Sequence, residues 1–297
     1  MGRRGDARGA GEGRLVAVER QPLPRPAFHP GPAAVRPAES GSEAAMAWSG
    51  SLRALAARWA AEGLDVLCPP RCGLCGNDLP VERDRPRGGA ACASCAAVLA
   101  DDVPRCGACG APGRAGGCTA CRGHRRSWHG MVVLGPYADE LRAAVLRAKR
   151  PAGERVAATL ATLLVRRHRD LLAAWAPDVV VPVPMHWTRR MVRGTSAADE
   201  LARGVAAGLG RPYGRLLRRE RATTMQNRLP VGERRANVRG AFRARGRIAG
   251  QRILLVDDVT TTGSTLEACG AAAISAGAAA VYAAVVARAD GGGSPDA

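Results

Sequence analysis

From about Trp128 onward, short apolar runs alternate with longer segments in which apolar residues recur with helical spacing. The short runs end at polar or turn-forming residues and predict buried strands, whereas the longer segments predict amphipathic helices. Strands that alternate with helices are typical of a parallel sheet with helices on its faces, so an α/β fold is expected. The predicted strands are MVVLGPY (131–137), DVVVPVPM (178–185), ILLVDDV (253–259) and AAAVYAAVVA (278–287), and the predicted helices are ELRAAVLRAK (140–149), ERVAATLATLLVRRHRDLLAAW (154–175), AADELARGVAAGL (197–209) and the segment after Thr262.

The chain before Trp128 shows no such alternation. Residues 1–45 are rich in Gly, Pro, Arg and Ala without periodicity, which is typical of a disordered leader. Met46 is a candidate start of translation, because a helical pattern begins there. We expect a leader at 1–45, a helix at 46–66, a cysteine-rich zinc module at 67–125, an α/β domain at 126–290 and a flexible tail at 291–297.

Nine of the ten cysteines lie between Cys68 and Cys121. In a reducing compartment, cysteines in C-x2-C pairs are more often metal ligands than disulfide partners, so two all-cysteine zinc sites are predicted. Four thiolates leave zinc no open coordination position, and a structural metal is therefore expected. The predicted ligands are Cys72, Cys75, Cys92, Cys95, Cys106, Cys109, Cys118 and Cys121.

The spacing of the pairs favours consecutive over crossed pairing, although it is compatible with both. Sixteen residues separate the first two pairs and eight the last two. In CGLCG and CGACG a glycine follows the second cysteine, and the tight turn that it permits is expected to bring backbone N–H groups towards the sulfur atoms.

The predicted strand at 253–259 ends in two aspartates, Asp257 and Asp258, and the chain continues as TTTGST. In parallel α/β sheets, ligands bind beyond the carboxyl ends of the strands. A glycine that accepts positive φ, a row of hydroxyls and the start of a helix together favour a bound phosphate. The predicted phosphate-binding residues are Thr260, Thr261, Thr262, Gly263, Ser264 and Thr265.

The same segment narrows the class of ligand. The chain has no GxxxxGK[ST] motif, which disfavours a nucleoside triphosphate, while Asp257 and Asp258 suit a sugar diol or a hydrated Mg²⁺. The alternative is a buried strand that ends in aspartate and a threonine-rich turn. The segment resembles the loop of type I phosphoribosyltransferases that binds phosphoribosyl pyrophosphate (PRPP). That resemblance implies that the acids hold the ribose hydroxyls and the loop holds the 5′-phosphate.

Two further segments are candidates for the pyrophosphate. In VPVPMH, Pro182 and Pro184 remove N–H groups from the ladder, so the chain leaves the sheet at the ligand edge or simply ends an edge strand. The phosphoribosyltransferase resemblance implies a pyrophosphate loop at Val183, Pro184, Met185 and His186. Arg218, Arg219 and Arg221 are expected on a mobile loop that closes over the pyrophosphate, with catalytic roles for Arg218 and Arg221 beside the two aspartates.

The order of these motifs resembles the ComF family of competence-associated phosphoribosyltransferase-like proteins. The resemblance covers about residues 67–288 and rests on the cysteine pairs, LRAAVLRAK, VPVPMH, the RG of MVRGTSAADELA and RRERATTMQNRLPVGERRANVRGAF. It implies a type I phosphoribosyltransferase fold behind a double zinc ribbon, with Mg²⁺ and PRPP or another ribose 5-phosphate compound as ligands. The family commonly carries Phe-Asn-Gln after Arg193-Gly194, whereas this chain has Thr195, Ser196 and Ala197, so contacts to the acceptor or leaving group are in question.

The charge distribution points to an anionic partner. The formal net charge is +18, and residues 211–252 hold 13 arginines against Glu220 and Glu233. Clustered arginine suits both a pyrophosphate and DNA, and a solvated basic face is the alternative. The ComF resemblance implies single-stranded DNA and a competence helicase as partners, and a non-catalytic role in DNA uptake is the alternative to catalysis. With 3% aromatic residues, contacts to DNA are expected through its phosphates.

Two smaller features complete the analysis. Lys149 is the only lysine, so that position either requires a compact ammonium or has kept its lysine by chance. No apolar run approaches the roughly 18 residues of a membrane span, and no apolar segment follows the first arginines, so neither a span nor a signal peptide is predicted and the cytoplasm is the expected compartment.

Overall fold

The computed structural model describes residues 69–80, 89–99, 102–113, 118, 126–185, 196–220, 238 and 240–289. The predicted leader, the helix at 46–66 and the tail at 291–297 lie outside the described residues. All described residues belong to one compact unit, Trp59–Ala297.

Four parallel strands form the central sheet. Their order is β1-β6-β5-β2, which places β5 in the interior of the sheet with β6 and β2 as its neighbours. This confirms the predicted parallel α/β architecture. The strands are β1 (Gly130–Pro136), β2 (Val179–Pro182), β5 (Arg252–Thr260) and β6 (Ala280–Arg288).

Helices cover both faces of this sheet. One predicted helix, 154–175, is two helices, since the chain breaks at His168, whose Nε2 lies 2.9 Å from the Val133 carbonyl oxygen. The ring is partly buried, and this burial lowers the pKa of His168. The described helices are α1 (Ala93–Leu99), α2 (Asp139–Ala148), α3 (Glu154–Arg167), α4 (Arg169–Trp175), α5 (Ala197–Leu209) and α6 (Ser264–Ser275).

The hydrophobic core has two halves, one on each face of the sheet. On one face, α2, α3 and α5 pack against side chains such as Leu254 and Val256 of β5. On the other face, α6 contributes Leu266 and the fully buried Cys269. Because both faces are covered, β5 is apolar and buried from Ile253 to Val256, and polar residues follow at the carboxyl edge of the sheet.

A second, small sheet lies on the α6 side. The strands β3 (Leu217–Arg219) and β4 (Phe242–Ala244) pair antiparallel, and Leu217 and Phe242 join the core around α6. Arg218 and Arg219 therefore lie in a strand, so the expectation of a loop at these two positions is wrong: the alternation of Leu217 inward and Arg218 outward fits a half-buried strand. Arg221 lies outside the described residues.

The cysteine-rich segment packs directly on the α/β core. Cys72, Leu74, Leu79 and Leu99 belong to the same hydrophobic cluster as α2 and α3. The domain boundary at residue 126 stays a prediction, but the two parts share one core. In the described part of the chain, no helix is long and apolar enough to cross a membrane.

Candidate functional site

The carboxyl end of β5 leads straight into the start of α6. Thr260 is the last strand residue, residues 261–263 turn, and Gly263 caps the helix with φ 77°, the left-handed conformation that its lack of a Cβ permits. The Oγ1 of Thr262 lies 2.6 Å from the Oγ of Ser264, and the Ser264 N–H points at the same Oγ1 at 3.4 Å. The hydroxyls thus brace the turn at the helix start.

This geometry is suited to an anion. The first four N–H groups of a helix have no partner within the helix, and the aligned peptide dipoles make that end positive. The structure brings together Thr260, Thr261, Thr262, Gly263, Ser264 and Thr265, as the sequence predicts, at the carboxyl edge of the central strand.

The two aspartates lie just before the turn and differ in their contacts. The Asp257 carboxylate accepts a hydrogen bond of 2.9 Å from the Asp258 N–H, and the Asp258 Oδ1 accepts one of 2.7 Å from the Val259 N–H. The other oxygen of Asp258, Oδ2, forms an ion pair of 2.9 Å with the Lys149 ammonium. Both partners are largely buried, with 27% of the Lys149 side chain and 18% of the Asp258 side chain exposed.

Lys149, the single lysine of the chain, follows the last residue of α2 and is therefore part of the site. Its retention has a physical reason, because a compact ammonium fits beside a carboxylate in a confined space. Burial acts to lower its pKa, but the charge and hydrogen bond of Asp258, with smaller effects of Tyr137 and Asp257, raise the pKa of Lys149 overall. The ammonium is therefore charged at neutral pH.

Asp257 behaves differently from an ordinary aspartate. Burial raises the pKa of its carboxyl group well above the usual value, and the adjacent charge of Asp258 raises it further, while Lys149 acts in the opposite direction. Asp257 therefore keeps its proton to a higher pH than an exposed aspartate, and a bound cation would favour its ionised form.

The proline-containing segment lies beside the aspartates. Pro182 of β2 pairs with Val256 of β5, and the Val183 N–H still donates to the Val256 carbonyl at 2.9 Å. Val183 is buried and Pro184 and Met185 are half-buried at the same sheet edge, whereas His186 lies outside the described residues. The predicted pyrophosphate loop and the aspartates are thus neighbours across one strand pair.

Arg218 forms an ion pair with a nearby residue of its own segment. Its Nη2 lies 2.6 Å from the Glu220 Oε1, and 54% of its side chain is exposed. The two-stranded sheet that carries it packs against α6, the helix that starts in residues 260–265, which are named here the phosphate turn after the ligand that the sequence predicts. Arg218 is thus half-exposed and paired with Glu220, and its catalytic role stays a prediction.

The cysteines form two groups with the consecutive pairing that the spacing favours. Cys72, Cys75, Cys92 and Cys95 form one group and Cys106, Cys109 and Cys118 the other, with the ligand atoms of each within 4.8 Å of one another. Cys121 lies outside the described residues. A tetrahedral zinc site with Zn–S bonds of about 2.3 Å requires sulfur atoms about 3.8 Å apart. The observed separations are 3.7 Å for Cys75 to Cys92 and 3.6 Å for Cys109 to Cys118, so the residues fit zinc.

The backbone favours thiolate at Cys72, whereas burial and the neighbouring cysteines raise the pKa of Cys95 to about 12. The Leu74 N–H points at the Cys72 Sγ at 3.4 Å, as the tight turn predicts, and the Cys92 N–H, from the second cysteine pair, points at the same sulfur at 3.3 Å. Burial alone would raise the pKa of Cys72, but backbone hydrogen bonds from Cys75, Cys92 and Leu74 lower it to about 6. A thiolate at neutral pH is the form that binds metal.

One group of residues near the phosphate turn carries no sequence signal. Arg126, Ser127 and Trp128, which precede β1, contact the turn or the first part of α6. They are more than 130 positions away along the chain, as the separation of 136 between Arg126 and Thr262 illustrates, and no periodicity or motif links them.

A parallel sheet with two acids and a turn into a helix at the carboxyl end of an interior strand is the arrangement expected of a phosphoribosyltransferase-type domain. Residues 152–296 match the family model of the phosphoribosyl transferase domain. Among solved structures, the phosphoribosylpyrophosphate synthetase of Mycobacterium smegmatis aligns at 18% identity with a TM-score of 0.28, covering 42% of this chain and 33% of that one.

Two curated relatives narrow the family. The chain is 33% identical to competence protein F of Haemophilus influenzae over 156 residues, which is 50% of this chain and 68% of that protein. It is 30% identical to the DNA utilization protein YhgH of Salmonella typhimurium over 181 residues, 59% of this chain and 80% of that protein. The chain belongs to the ComF family.

Proposed function

We propose that the site binds PRPP, or another ribose 5-phosphate compound, together with Mg²⁺, and that it transfers the phosphoribosyl group to an acceptor. The observation that carries the proposal is the continuous path from Asp257 and Asp258 through the turn at Gly263 to the start of α6. It places oxygen ligands for a diol next to backbone donors for a phosphate. The match to the phosphoribosyl transferase family model supports it.

Each part of the ligand has its own residues in this proposal. The turn and the first residues of α6 hold the 5′-phosphate, the two aspartates face the ribose hydroxyls and Mg²⁺, and Val183, Pro184 and Met185 face the pyrophosphate. Mg²⁺ usually takes one or two protein carboxylates and keeps several waters, which suits this acid pair. When bound, Mg²⁺ would neutralise part of the negative charge of the pyrophosphate.

Lys149 also has a role in this proposal. Its ammonium pairs with Asp258 at 2.9 Å, so it lies beside the carboxylate that would face the diol and Mg²⁺. A charged ammonium at this place would attract the anionic groups of the ligand.

In the reaction, the bond between C1 of the ribose and the pyrophosphate oxygen breaks and an acceptor nucleophile forms a bond to C1. Pyrophosphate leaves with the electron pair. Positioning and stabilisation of the growing negative charge on the leaving group account for catalysis of this kind.

Calorimetric titration of the zinc-loaded full chain with PRPP and Mg²⁺ tests the proposal. Wild-type protein should bind, and the double variant Asp257→Asn and Asp258→Asn should lose binding at least a hundredfold while its thermal unfolding stays cooperative. Equal affinity in that variant would refute the assignment. A screen of acceptors for pyrophosphate release then tests transfer.

We also propose that the protein acts in DNA uptake, since the relatives are named for competence and DNA utilization. The basic region 211–252 supports contact with single-stranded DNA, although ion pairs engage Arg215, Arg218, Arg243 and Arg252. A competence helicase is the second expected partner. Binding of single-stranded DNA that falls steeply with salt and is unaffected by PRPP would favour a non-catalytic accessory role, whereas PRPP-dependent pyrophosphate release would favour catalysis.

A further inference from the structure

The second cysteine turn, residues 106–109, is tied to the α/β domain through its carbonyl groups. The Gly107 carbonyl accepts a hydrogen bond of 2.7 Å from the Met131 N–H of β1. The Ala108 carbonyl accepts one of 2.7 Å from the Trp128 Nε1, and the Cys109 carbonyl accepts one of 2.9 Å from Arg288 at the end of β6. Three consecutive carbonyls of the turn therefore bind three different positions of the domain.

Trp128 contacts both the second cysteine turn and the phosphate turn. Its side chain is buried, with 6% exposed, and it packs with Leu266 of α6. The ring lies so close to Gly263 that a Cβ at that glycine would be 3.1 Å from the Trp128 Cη2. The indole is thus in contact with the cysteine turn on one side and with the helix-capping glycine on the other.

The two residues before Trp128 hold the same segment at other points. Arg126 donates from Nη1 to the Thr262 carbonyl at 3.3 Å, and its guanidinium lies 5.3 Å from the centre of the Trp128 ring. Ser127 donates from its N–H and its hydroxyl to the Glu267 Oε1 at 3.0 and 2.6 Å. Three consecutive residues therefore fix the turn, the capping glycine and the first turn of α6.

The first cysteine turn has none of these described contacts with the phosphate turn. Its glycine Gly73 faces Thr159 of α3, and its Leu74 carbonyl accepts a hydrogen bond of 2.7 Å from Arg147 of α2. It lies against the helices on the opposite face of the sheet. The chain therefore contains its own control: two similar cysteine groups, of which the second alone, among described residues, is connected to the phosphate turn.

We infer that the second cysteine group positions the phosphate turn through Trp128. Metal binding at Cys106, Cys109 and Cys118 thereby sets the affinity of the site for the 5′-phosphate of its ligand. Metal that gathers the sulfur atoms fixes the backbone of the turn, and with it the carbonyl that orients the indole. Loss of the metal would release the indole and with it Gly263. The inference rests on the proposed function, because it concerns the phosphate end of that ligand.

The first experiment compares two tryptophans in zinc-loaded full-length protein. Trp128→Phe keeps an aromatic ring but removes the donor to Ala108, whereas Trp175→Phe changes a tryptophan that stacks on Tyr282 at 4.7 Å, away from the turn. Each variant is titrated with ribose 5-phosphate and, separately, with pyrophosphate and Mg²⁺. Trp128→Phe should weaken ribose 5-phosphate binding about tenfold and leave pyrophosphate binding unchanged, while Trp175→Phe should change neither.

The second experiment removes metal from one group at a time. Cys118→Ser and Cys75→Ser are compared for zinc content, measured with a chromophoric chelator, and for affinity for the same two ligands. Cys118→Ser should lose one zinc and about tenfold in ribose 5-phosphate affinity, and Cys75→Ser should lose one zinc with unchanged ribose 5-phosphate affinity in the folded fraction. Equal affinity of Trp128→Phe and wild type, or an equal loss for both ligands, overturns the inference. If wild-type protein binds neither ligand, the proposed function fails first.

Discussion

The two cysteine turns share one sequence pattern, CGLCG at 72–76 and CGACG at 106–110. The first glycine of the pattern packs against the α/β domain in one turn, and the last glycine does so in the other. In the first turn a Cβ at Gly73 would lie 2.1 Å from the Thr159 Oγ1, whereas Gly76 has no neighbour within 4 Å. In the second turn Gly107 has no neighbour within 4 Å, whereas a Cβ at Gly110 would lie 2.4 Å from the Val133 Cγ2. The same local fold is therefore docked in two orientations.

The two turns also differ in what surrounds them. The first contributes Cys72 and Leu74 to the main core, together with α2 and α3. The second has a small cluster of its own, formed by Cys106, Cys109 and Ala111 with Cys118 packed against it. The difference predicts a division of roles, in which the first turn supports global stability and the second supports the phosphate end of the site.

Metal removal should give the largest effect and should separate the two turns. Cys75→Ser is expected to cost more than about 3 kcal/mol of unfolding free energy, because the main core then loses its fixed cysteine turn, and Cys118→Ser about 1 kcal/mol. Urea denaturation followed by circular dichroism measures both. A larger cost for Cys118→Ser would contradict the division of roles.

The matched pair Gly73→Ala and Gly107→Ala tests the docking of the first turn. Gly73→Ala forces the fully buried Thr159 to move and breaks its 2.8 Å hydrogen bond to the Arg155 carbonyl, so a loss of about 2–3 kcal/mol is expected. Gly107→Ala, at the same place in the motif, should change the unfolding free energy by less than about 0.5 kcal/mol. Equal losses of unfolding free energy for the two variants, in thermal or urea unfolding, would contradict the packing of Gly73 against Thr159.

At the last glycine of the motif, alanine should destabilise the second turn more than the first. Both Gly76 and Gly110 have positive φ, 81° and 71°, so alanine at either position carries a backbone cost of about 1 kcal/mol. Gly110→Ala additionally meets Val133 and Met131 of β1, which should add about 1–2 kcal/mol. Differential scanning calorimetry of the two variants gives the difference, and its absence would argue against close docking of the second turn.

The smallest effect concerns Lys149, on the side of the first turn, since Arg147 of the same helix binds the Leu74 carbonyl. The folded-state pKa of Lys149 is raised above its ordinary value of 10.5. The ion pair therefore stabilises fully below pH 10.5, and that stability is lost as the pH rises through the folded-state pKa. Relative to Lys149→Met, wild-type protein should lose about 1 kcal/mol in that alkaline window. Parallel unfolding free energies of the two proteins across it would exclude the ion pair as a source of stability.

Much of the α/β domain could be predicted because its signals are local. Apolar runs located the four strands of the central sheet. Within the described residues of the α/β domain, the predicted helix 154–175 is divided at His168, whose ring contacts Val133 of a distant strand. The strand at Arg218 was missed because three residues are too few for a period of two to be visible beside a run of arginines.

The candidate site also has a part that the sequence predicts and a part that it does not. The aspartates and the phosphate turn are contiguous, so the sequence determines both their chemistry and their order along β5. Their partners are not contiguous: Lys149 reaches Asp258 from α2, and Trp128 reaches Gly263 from the segment before β1. A lone lysine could be noticed as unusual, but its partner could not be identified from composition.

By itself, the sequence determined the four strands of the central sheet, the cysteine pairs and the polar end of β5, because hydrophobic periodicity, ligand spacing and turn chemistry act over a few residues. The tertiary structure decided which glycine of each cysteine turn faces the core, which helix supplies the ammonium, and which indole lies against the phosphate turn. Those choices depend on how the layers dock on the sheet, and close packing between distant segments leaves no periodic trace in the chain.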